Sequence, residues 1–156
     1  VLKDYAIAYG FNSCSLRYFN AAGGDPSHRI RYTKGKKQGN LIPIILDSIQ
    51  EGRPVTVFGD DYETQDGTCI RDYIHIADLG SAHILALKKL LTGNASLCYN
   101  LGNKQGFSVM EVIRAAEAVT GKTVNVNIGK KRPGDPPQLI ANAEKAQYEL
   151  GWKPLY

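Results

Sequence analysis

Short runs in which apolar and polar residues alternate recur along the chain, and each predicts a β-strand. Four predicted strands lie at 13–19, 54–58, 96–102 and 123–128. A fifth apolar stretch, "CIRDYIHIADL" at 69–79, differs because Arg71 and Asp72 interrupt it side by side. A strand that only fills a core does not need this pair of charges, so the segment is a candidate for binding.

Between the strands, apolar residues recur at helical spacing, with residues typical of helix ends on either side. In 40–52, Asn40 suits the N-cap position and Gly52 the end of the helix. Segment 108–121 begins with capping-box spacing and ends at a glycine. Three more helices are predicted: 2–10, a helix capped by Asp78 that runs to about Leu91, and 142–151. Strands and helices alternate, which indicates the α/β or α+β class, with α/β expected, and no repeat divides residues 1–156.

Two glycine- and proline-containing segments, 20–39 and 129–137, are predicted to be loops. A loop as long as 20–39 inside a compact domain is usually functional or mobile. Tyr32 and Lys36 have the spacing of a Tyr-x-x-x-Lys pair, but Gly35 and the neighbouring basic residues predict a loop there rather than a helix. We therefore do not interpret this pair as catalytic, and no catalytic residue is expected in the chain.

Composition and charge narrow the function classes. The 156 residues are 43% hydrophobic and 22% charged, which suits a soluble domain, and no apolar run reaches the roughly 20 residues of a membrane span. A formal charge of +4 is too mild for a typical nucleic-acid footprint, although its basic runs at 34–37 and 130–132 suit either solvated surface or a phosphate-bearing ligand. Three distant cysteines without Cys-x-x-Cys spacing predict reduced thiols, no metal site and a cytoplasmic location.

Candidate binding residues collect in the connections. Arg71 and Arg132 each offer a planar fork of donors that suits a diphosphate. Asp135 follows Arg132 across a Pro–Gly turn that can direct its carboxylate at sugar hydroxyls. Asn20 and Asn40 border loops, where side-chain amides commonly bind ligands.

Each of these features also has a simpler explanation that the pattern leaves open. Arg71 and Asp72 can form a local ion pair, Asn40 can be a plain helix cap, and 132–136 can be only a turn. His75 on an apolar strand is more often a core residue than a base. Taken alone, the residues indicate a soluble α/β domain and leave the binding of a phosphorylated ligand as one interpretation.

Seven segments, in order along the chain, resemble the C-terminal half of the UDP-glucose 4-epimerase family of extended short-chain dehydrogenase/reductases. They are "LRYFNAAG" (16–23), "GNLIPIILDSIQEG" (39–52), "VFGDDYETQDGTCIRDYIHIADLGSAH" (57–83), "YNLGN" (99–103), "SVMEVIRAAEAVTG" (108–121), "RPGDPPQL" (132–139) and "LGWKP" (150–154). The resemblance covers essentially the whole chain. It implies the substrate-binding part of an NAD(P)-binding, Rossmann-like enzyme, with residues 1–20 as a remnant of a missing N-terminal Rossmann part.

The resemblance also implies roles for the residues that match the family pattern. Arg71 and Arg132 would hold the diphosphate of a UDP-sugar, and Asp135 would accept hydrogen bonds from its ribose. Tyr18 and Phe19 would lie near the nicotinamide of NAD. Further substrate contacts are expected from Asn20, Asn40, Leu41, Thr56, Phe58, Tyr73 and Leu139.

In that family, UDP-glucose and UDP-galactose are interconverted through transient NAD-dependent oxidation at C4 of the hexose, by an enzyme expected to be a homodimer. This sequence has neither a glycine-rich phosphate loop nor a Tyr-x-x-x-Lys pair on a helix. We therefore expect the chain to start just after the catalytic lysine, to be inactive alone, not to retain NAD, and to self-associate through uncovered apolar surface.

The alternatives are another nucleotide-sugar enzyme, such as a UDP-xylose/arabinose 4-epimerase or a dehydratase, and a non-catalytic UDP-sugar-binding module; a nucleic-acid-binding domain is disfavoured.

Overall fold

The structure is a computed structural model that describes residues 1–29, 39–93 and 96–156. Within these ranges the helices are α1 Leu2–Tyr9, α2 Leu41–Glu51, α3 Ile76–Thr92, α4 Val109–Thr120 and α5 Glu144–Leu150. The strands are β1 Cys14–Tyr18, β2 Asn20–Ala22, β3 Val55–Phe58, β4 Ile70–His75, β5 Leu97–Leu101, β6 Gly106–Ser108, β7 Val126–Gly129 and β8 Gln138–Leu139. The α/β class predicted from the pattern is confirmed.

The helix ends follow the local sequence closely. Four helices end at the glycines that follow them in the sequence, Gly10, Gly52, Gly121 and Gly151, all in the left-handed conformation. At the start of α4 the Ser108 hydroxyl accepts from the Glu111 backbone N–H at 3.0 Å, and the Glu111 carboxylate accepts from the Ser108 N–H at 2.7 Å. The predicted capping box is therefore confirmed.

The prediction that Asp78 caps α3 is wrong. The helix begins at Ile76, and Nδ1 of His75 accepts from the Ala77 N–H at 3.2 Å. Ile76, expected to pack within the strand, is 37% exposed at the first turn of the helix. Asp78 is buried, and its carboxylate serves a different segment, so it is not available as a cap.

Contacts divide the chain into two compact units, neither of which is continuous in sequence. Unit 1 comprises Val1–Arg31, Tyr73–Lys104 and Ala141–Tyr156, and unit 2 comprises Tyr32–Asp72 and Gln105–Ile140. The assignment of residues 1–156 to a single domain stays a prediction.

Unit 1 is organised around a parallel pair, β1 and β5, in which Cys14 lies opposite Leu97 and Tyr18 opposite Leu101. Its core contains the fully buried Trp152 and Tyr99. Asp78 holds the segment around Trp152, because its carbonyl accepts from the indole N–H at 3.0 Å. Its carboxylate accepts from the N–H groups of the two residues 155 and 156 at 2.9 and 3.1 Å.

Unit 2 has a second parallel pair, β3 and β7, and a core formed by Ile45, Val55, Val57 and Ile113. Inside this unit, β4 pairs antiparallel with β6 and parallel with β8. The first half of β4 therefore has strands on both sides, which fixes the backbone that carries Arg71.

Three strands lie where loops or no strand were predicted: β2, β6 and β8. The loop prediction for 20–39 is wrong at 20–22, where β2 pairs with β4, and residues 30–38 lie outside the described residues. The range 30–38 includes Tyr32, Lys36 and the basic run 34–37. β7 is also shorter at its start than the predicted 123–128.

Among the described residues, no group of three or more His, Cys, Asp or Glu side chains is arranged to hold a metal ion.

Candidate nucleotide-binding site

Arg71 is held in unit 2 by strands on both sides and by three polar contacts. In the ladders of β4 its partners are Phe107 on β6 and Leu139 on β8. Its Nη1 donates to the carbonyls of residues 70 and 136 at 2.7 and 3.0 Å, and its Nη2 forms an ion pair with Oδ1 of Asp135. The side chain is only 13% exposed. A guanidinium fixed in this way needs little further ordering to bind an anion.

The turn that carries Arg132 and Asp135 explains how Asp135 reaches Arg71. The Asp135 N–H donates to the Arg132 carbonyl at 3.2 Å, and Gly134 has φ +77° after Pro133. Proline followed by a residue with positive φ is the arrangement of a type II turn. The rigid turn expected from the sequence is present, and it directs the carboxylate back to β4.

Arg132 stacks on an exposed aromatic ring. Its guanidinium carbon lies 4.0 Å from the ring centroid of Phe58, which is 39% exposed. Thr56 lies on the same exposed face of β3, because Val55 and Val57 alternate with it into the core. No carboxylate of the described residues pairs with Arg132, so its charge is available beside a flat ring.

Asn40 and Leu41 also belong to unit 2 and lie at the start of α2. Neither is among the residues that contact Arg71. Asn40 occupies the N-cap position, but its side chain makes no capping hydrogen bond and is exposed. Leu41 packs against the core that includes Val55 and Val57. Asn40 is therefore at the predicted N-cap position, but without the side-chain hydrogen bond of a cap.

The remaining candidates belong to unit 1. Asn20 and Tyr73 are opposite each other in the parallel pair of β2 and β4, and both are half-buried. Tyr18 is 45% exposed with its ring edge toward His83, and Phe19 is half-buried between β1 and β2.

His75 has structural partners, as its simpler explanation expects. Its ring stacks on Tyr156 at a centroid distance of 4.5 Å, in addition to capping α3.

Sequence reasoning missed several residues around Arg71. Phe107 is 42% exposed and lies opposite Arg71 in the pairing of β4 with β6. No sequence pattern predicts the three-residue strand β6 that places it next to Arg71. Behind Asp135, the Cys69 sulfur lies 3.9 Å from Oδ2, and the buried Tyr62 lies next to Cys69. The only signal for Cys69 and Tyr62 is that they stand in the same block as Arg71. All three cysteines of the chain, Cys69 included, are free thiols.

These features define a class: an α/β protein with a Rossmann-like fold and an arginine–carboxylate–aromatic site that suits a nucleotide diphosphate. Residues 1–102 match the model of the NAD dependent epimerase/dehydratase family. The chain belongs to this family.

Several similar proteins are UDP-glucose 4-epimerases. The UDP-glucose 4-epimerase of Halalkalibacterium halodurans is 50% identical over 150 residues, and that of Azospirillum brasilense is 46% identical over 157 residues. Among solved structures, the UDP-glucose 4-epimerase from Brucella ovis in complex with NAD aligns at a TM-score of 0.91 with 42% identity over 99% of this chain. The Bifidobacterium longum UDP-glucose 4-epimerase in complex with NAD+ and UDP aligns at 0.88 with 37% identity, also over 99% of this chain.

The matches cover only part of each relative. This chain aligns over 96% and 100% of its own length, but over 45% of each of the two curated relatives and 48% and 46% of the two solved chains. The chain thus spans about half the length of the relatives it matches. In the described part of the chain, no helix has the length and apolar character needed to cross a bilayer.

Proposed function

We propose that this chain is the UDP-sugar-binding, C-terminal half of an enzyme that interconverts UDP-glucose and UDP-galactose. The observation that carries the proposal is the fixed Arg71 guanidinium, which shares a surface of unit 2 with Asp135, Arg132 and Phe58. Two arginines beside one carboxylate and one exposed ring match the parts of UDP: two phosphates, a ribose and a flat base. The names of the relatives support the same substrate class.

In this proposal Arg71 and Arg132 bind the diphosphate. Arg71 has an Nε–H with no partner among the described residues, and this N–H is available to a phosphate oxygen. Asp135 accepts from the ribose hydroxyls, and the ring of Phe58 lies against the uracil. The remaining proposed contacts are Asn20, Asn40, Leu41, Thr56, Tyr73 and Leu139.

Anchoring at the nucleotide serves the chemistry of the whole enzyme. NAD, when bound, supplies the hydride acceptor for oxidation at C4 of the hexose. The part of this chain is to hold UDP firmly and to make few fixed contacts with the sugar, so that the oxidised ring can turn. Tyr18 and Phe19 are the proposed contacts with the cofactor. We expect the chain alone neither to retain NAD nor to epimerise, and the whole enzyme to be a cytoplasmic homodimer.

Calorimetric titration with UDP tests the proposal. We compare the wild-type chain with the Arg71→Ala, Arg132→Ala double variant. Because each charge-assisted contact contributes about 1.5–3 kcal/mol, we expect the double variant to lose UDP affinity by about a hundredfold or more.

The matched control is Arg53→Ala, since Arg53 is an exposed arginine of the same unit that pairs with Glu51. It should bind UDP like the wild type. Circular dichroism checks that every variant is folded. Unchanged affinity in the double variant, or no binding by a folded wild-type chain, contradicts the proposal.

A further inference from the structure

One buried hydroxyl in unit 2 lacks a regular hydrogen bond. Tyr62 is 7% exposed, and its hydroxyl has no hydrogen-bond partner among the described residues. A buried polar group without a partner lowers stability, and phenylalanine would fill the same space without that loss. The hydroxyl therefore needs an explanation other than packing.

The ring of Tyr62 has close contacts on two sides. On one side lies Gly59, where a Cβ would come within 2.7 Å of the ring, so the backbone there is in close contact with it. On another side the Lys131 ammonium lies 4.5 Å from the ring centroid and is held by an ion pair with Asp61 at 3.0 Å. The Tyr62 N–H also donates to the Gly67 carbonyl at 2.9 Å. These contacts hold the ring and the backbone of Tyr62 in place.

Cys69 links Tyr62 to the carboxylate of the proposed site. The hydroxyl lies against the thiol of Cys69, whose sulfur is 3.9 Å from Oδ2 of Asp135. The contact with the thiol, burial, and the negative charge of Asp135 raise the pKa of Tyr62 to about 12. The group is therefore a protonated donor at neutral pH, and its neighbour Cys69 lies beside the oxygen of Asp135 that does not pair with Arg71.

We propose that the Tyr62 hydroxyl is a donor kept for Asp135 in the nucleotide-bound state, which makes Tyr62 a positioning residue for that carboxylate. The inference rests on the proposed function. A diphosphate on Arg71 competes with Asp135 for the guanidinium, and the carboxylate then turns toward the ribose. Its Oδ2 gains the Tyr62 hydroxyl, with the Cys69 thiol beside it, as a second donor that keeps the carboxylate aligned with the ribose hydroxyls.

The test compares Tyr62→Phe with the wild-type chain by two measurements. Urea denaturation should show a midpoint equal to or above that of the wild type, because an unpaired hydroxyl is removed. Calorimetry with UDP, 2′-deoxy-UDP and 3′-deoxy-UDP should show that wild type prefers UDP over at least one deoxy analogue. In Tyr62→Phe the affinity for UDP should fall by about fivefold. The preference for UDP over the deoxy analogue should fall by the same factor.

Two control variants accompany the test. Cys69→Ser keeps a donor beside Asp135 and should retain the preference, and Tyr148→Phe removes the hydroxyl of a 92% exposed tyrosine and should change nothing.

The outcomes separate this inference from the proposed function. If Arg71→Ala abolishes UDP binding while Tyr62→Phe keeps the wild-type preference, the positioning role is wrong and the proposed function stands. If Tyr62→Phe lowers the urea midpoint and weakens all three ligands equally, the hydroxyl is structural and the inference is also wrong. If folded wild type binds no UDP, or Arg71→Ala binds it as well as wild type, the proposed function fails and the inference fails with it.

Discussion

Gly67 and Gly134 have nearly the same backbone conformation, with φ +76° and +77°, but different surroundings. At Gly134 an added Cβ meets nothing within 4 Å, whereas at Gly67 it would lie 1.9 Å from the carbonyl oxygen of Asp60. We expect Gly134→Ala to reduce the free energy of unfolding by about 1–2 kcal/mol, the strain of a left-handed L-residue. Gly67→Ala adds a backbone collision and should reduce it by about 2–5 kcal/mol. Urea denaturation measures both, and equal losses would contradict the assignment of the larger effect to Asp60.

The candidate site shows how far single residues can be interpreted from sequence. The types of Arg71, Arg132 and Asp135 and the turn between the last two were readable, because side-chain chemistry and Pro–Gly spacing are local properties. The pairing of Arg71 with Asp135 was not, since 64 residues separate them and a ladder between β4 and β8 brings them together. Phe58 was linked to the site only through the resemblance, and its stacking with Arg132 is a tertiary contact that no pattern contains.

Among the helices, α4 has a start that is linked to a carboxylate outside it. Ser108, its N-cap, also donates its hydroxyl to Oδ2 of Asp66, and Thr68 donates to Oδ1 through its N–H at 3.0 Å and its hydroxyl at 2.7 Å. Burial opposes ionisation of Asp66, but these hydrogen bonds outweigh it and bring its pKa below the ordinary value of 3.8. The charged form of Asp66 is therefore better stabilised in the folded chain than in the unfolded chain.

We expect Ser108→Ala to reduce the free energy of unfolding by about 1–2 kcal/mol at pH 7. Because the folded pKa of Asp66 is lowered, its contribution is complete well above pH 3.8 and is lost as the pH falls through the folded value. The gap between wild type and Ser108→Ala should therefore narrow below about pH 4. Urea denaturation at a series of pH values measures it.

Thr120→Ala is the control for this prediction. Thr120 lies at the other end of α4, and its hydroxyl donates to the Ala116 carbonyl at 2.7 Å, so no carboxylate is involved. Its effect should not depend on pH. Parallel stability profiles for wild type and Ser108→Ala across the acid range would contradict the role given to Asp66.

Strands were predicted well where they are long and poorly where they are short. β1, β3 and β5 contain alternating or strand-forming residues over four or five positions, which is enough for a local signal. β2, β6 and β8 have three, three and two residues and exist because each pairs with β4. The start of α3 was misjudged for a related reason: Asp78 is a good cap by type, but tertiary contacts with Trp152 and its neighbours use it instead.

At the scale of the molecule, unit 1 exposes large apolar side chains that a monomer in water does not normally leave uncovered. Ile7 is 87% exposed and Leu91 78%. We expect the wild-type chain to self-associate at micromolar concentration. Because each side chain contributes about 1.5–3 kcal/mol when buried, Ile7→Ser with Leu91→Ser should weaken association by about tenfold or more.

Sedimentation velocity over a range of concentrations measures this association. Val119→Ser is the matched control, since Val119 is also 87% exposed but belongs to unit 2. A wild-type chain that stays monomeric throughout, or a control that weakens association as much as the double variant, would show that this surface is not responsible.

The sequence predicted the class of the fold but not its division into two units. Local periodicity specifies which segments form helices and strands, whereas the assignment of segments to units depends on contacts between distant residues. Residues 73–104 and 141–156 join the unit of the first segment, and no local feature near Asp72 or Lys104 marks the crossings.

The position of Trp152 has a consequence for biosynthesis. Its indole completes the core around Ile74, Leu79 and Tyr99, so β1 has no finished core until about 130 further residues have been synthesised. At ribosomal speeds of about 5–20 residues per second, the nascent chain waits on the order of 10 s with that surface open. During this interval the segment around β1 is a natural client for a chaperone, and its chance of meeting another nascent chain depends on the rate of translation as much as on the stability of the finished fold.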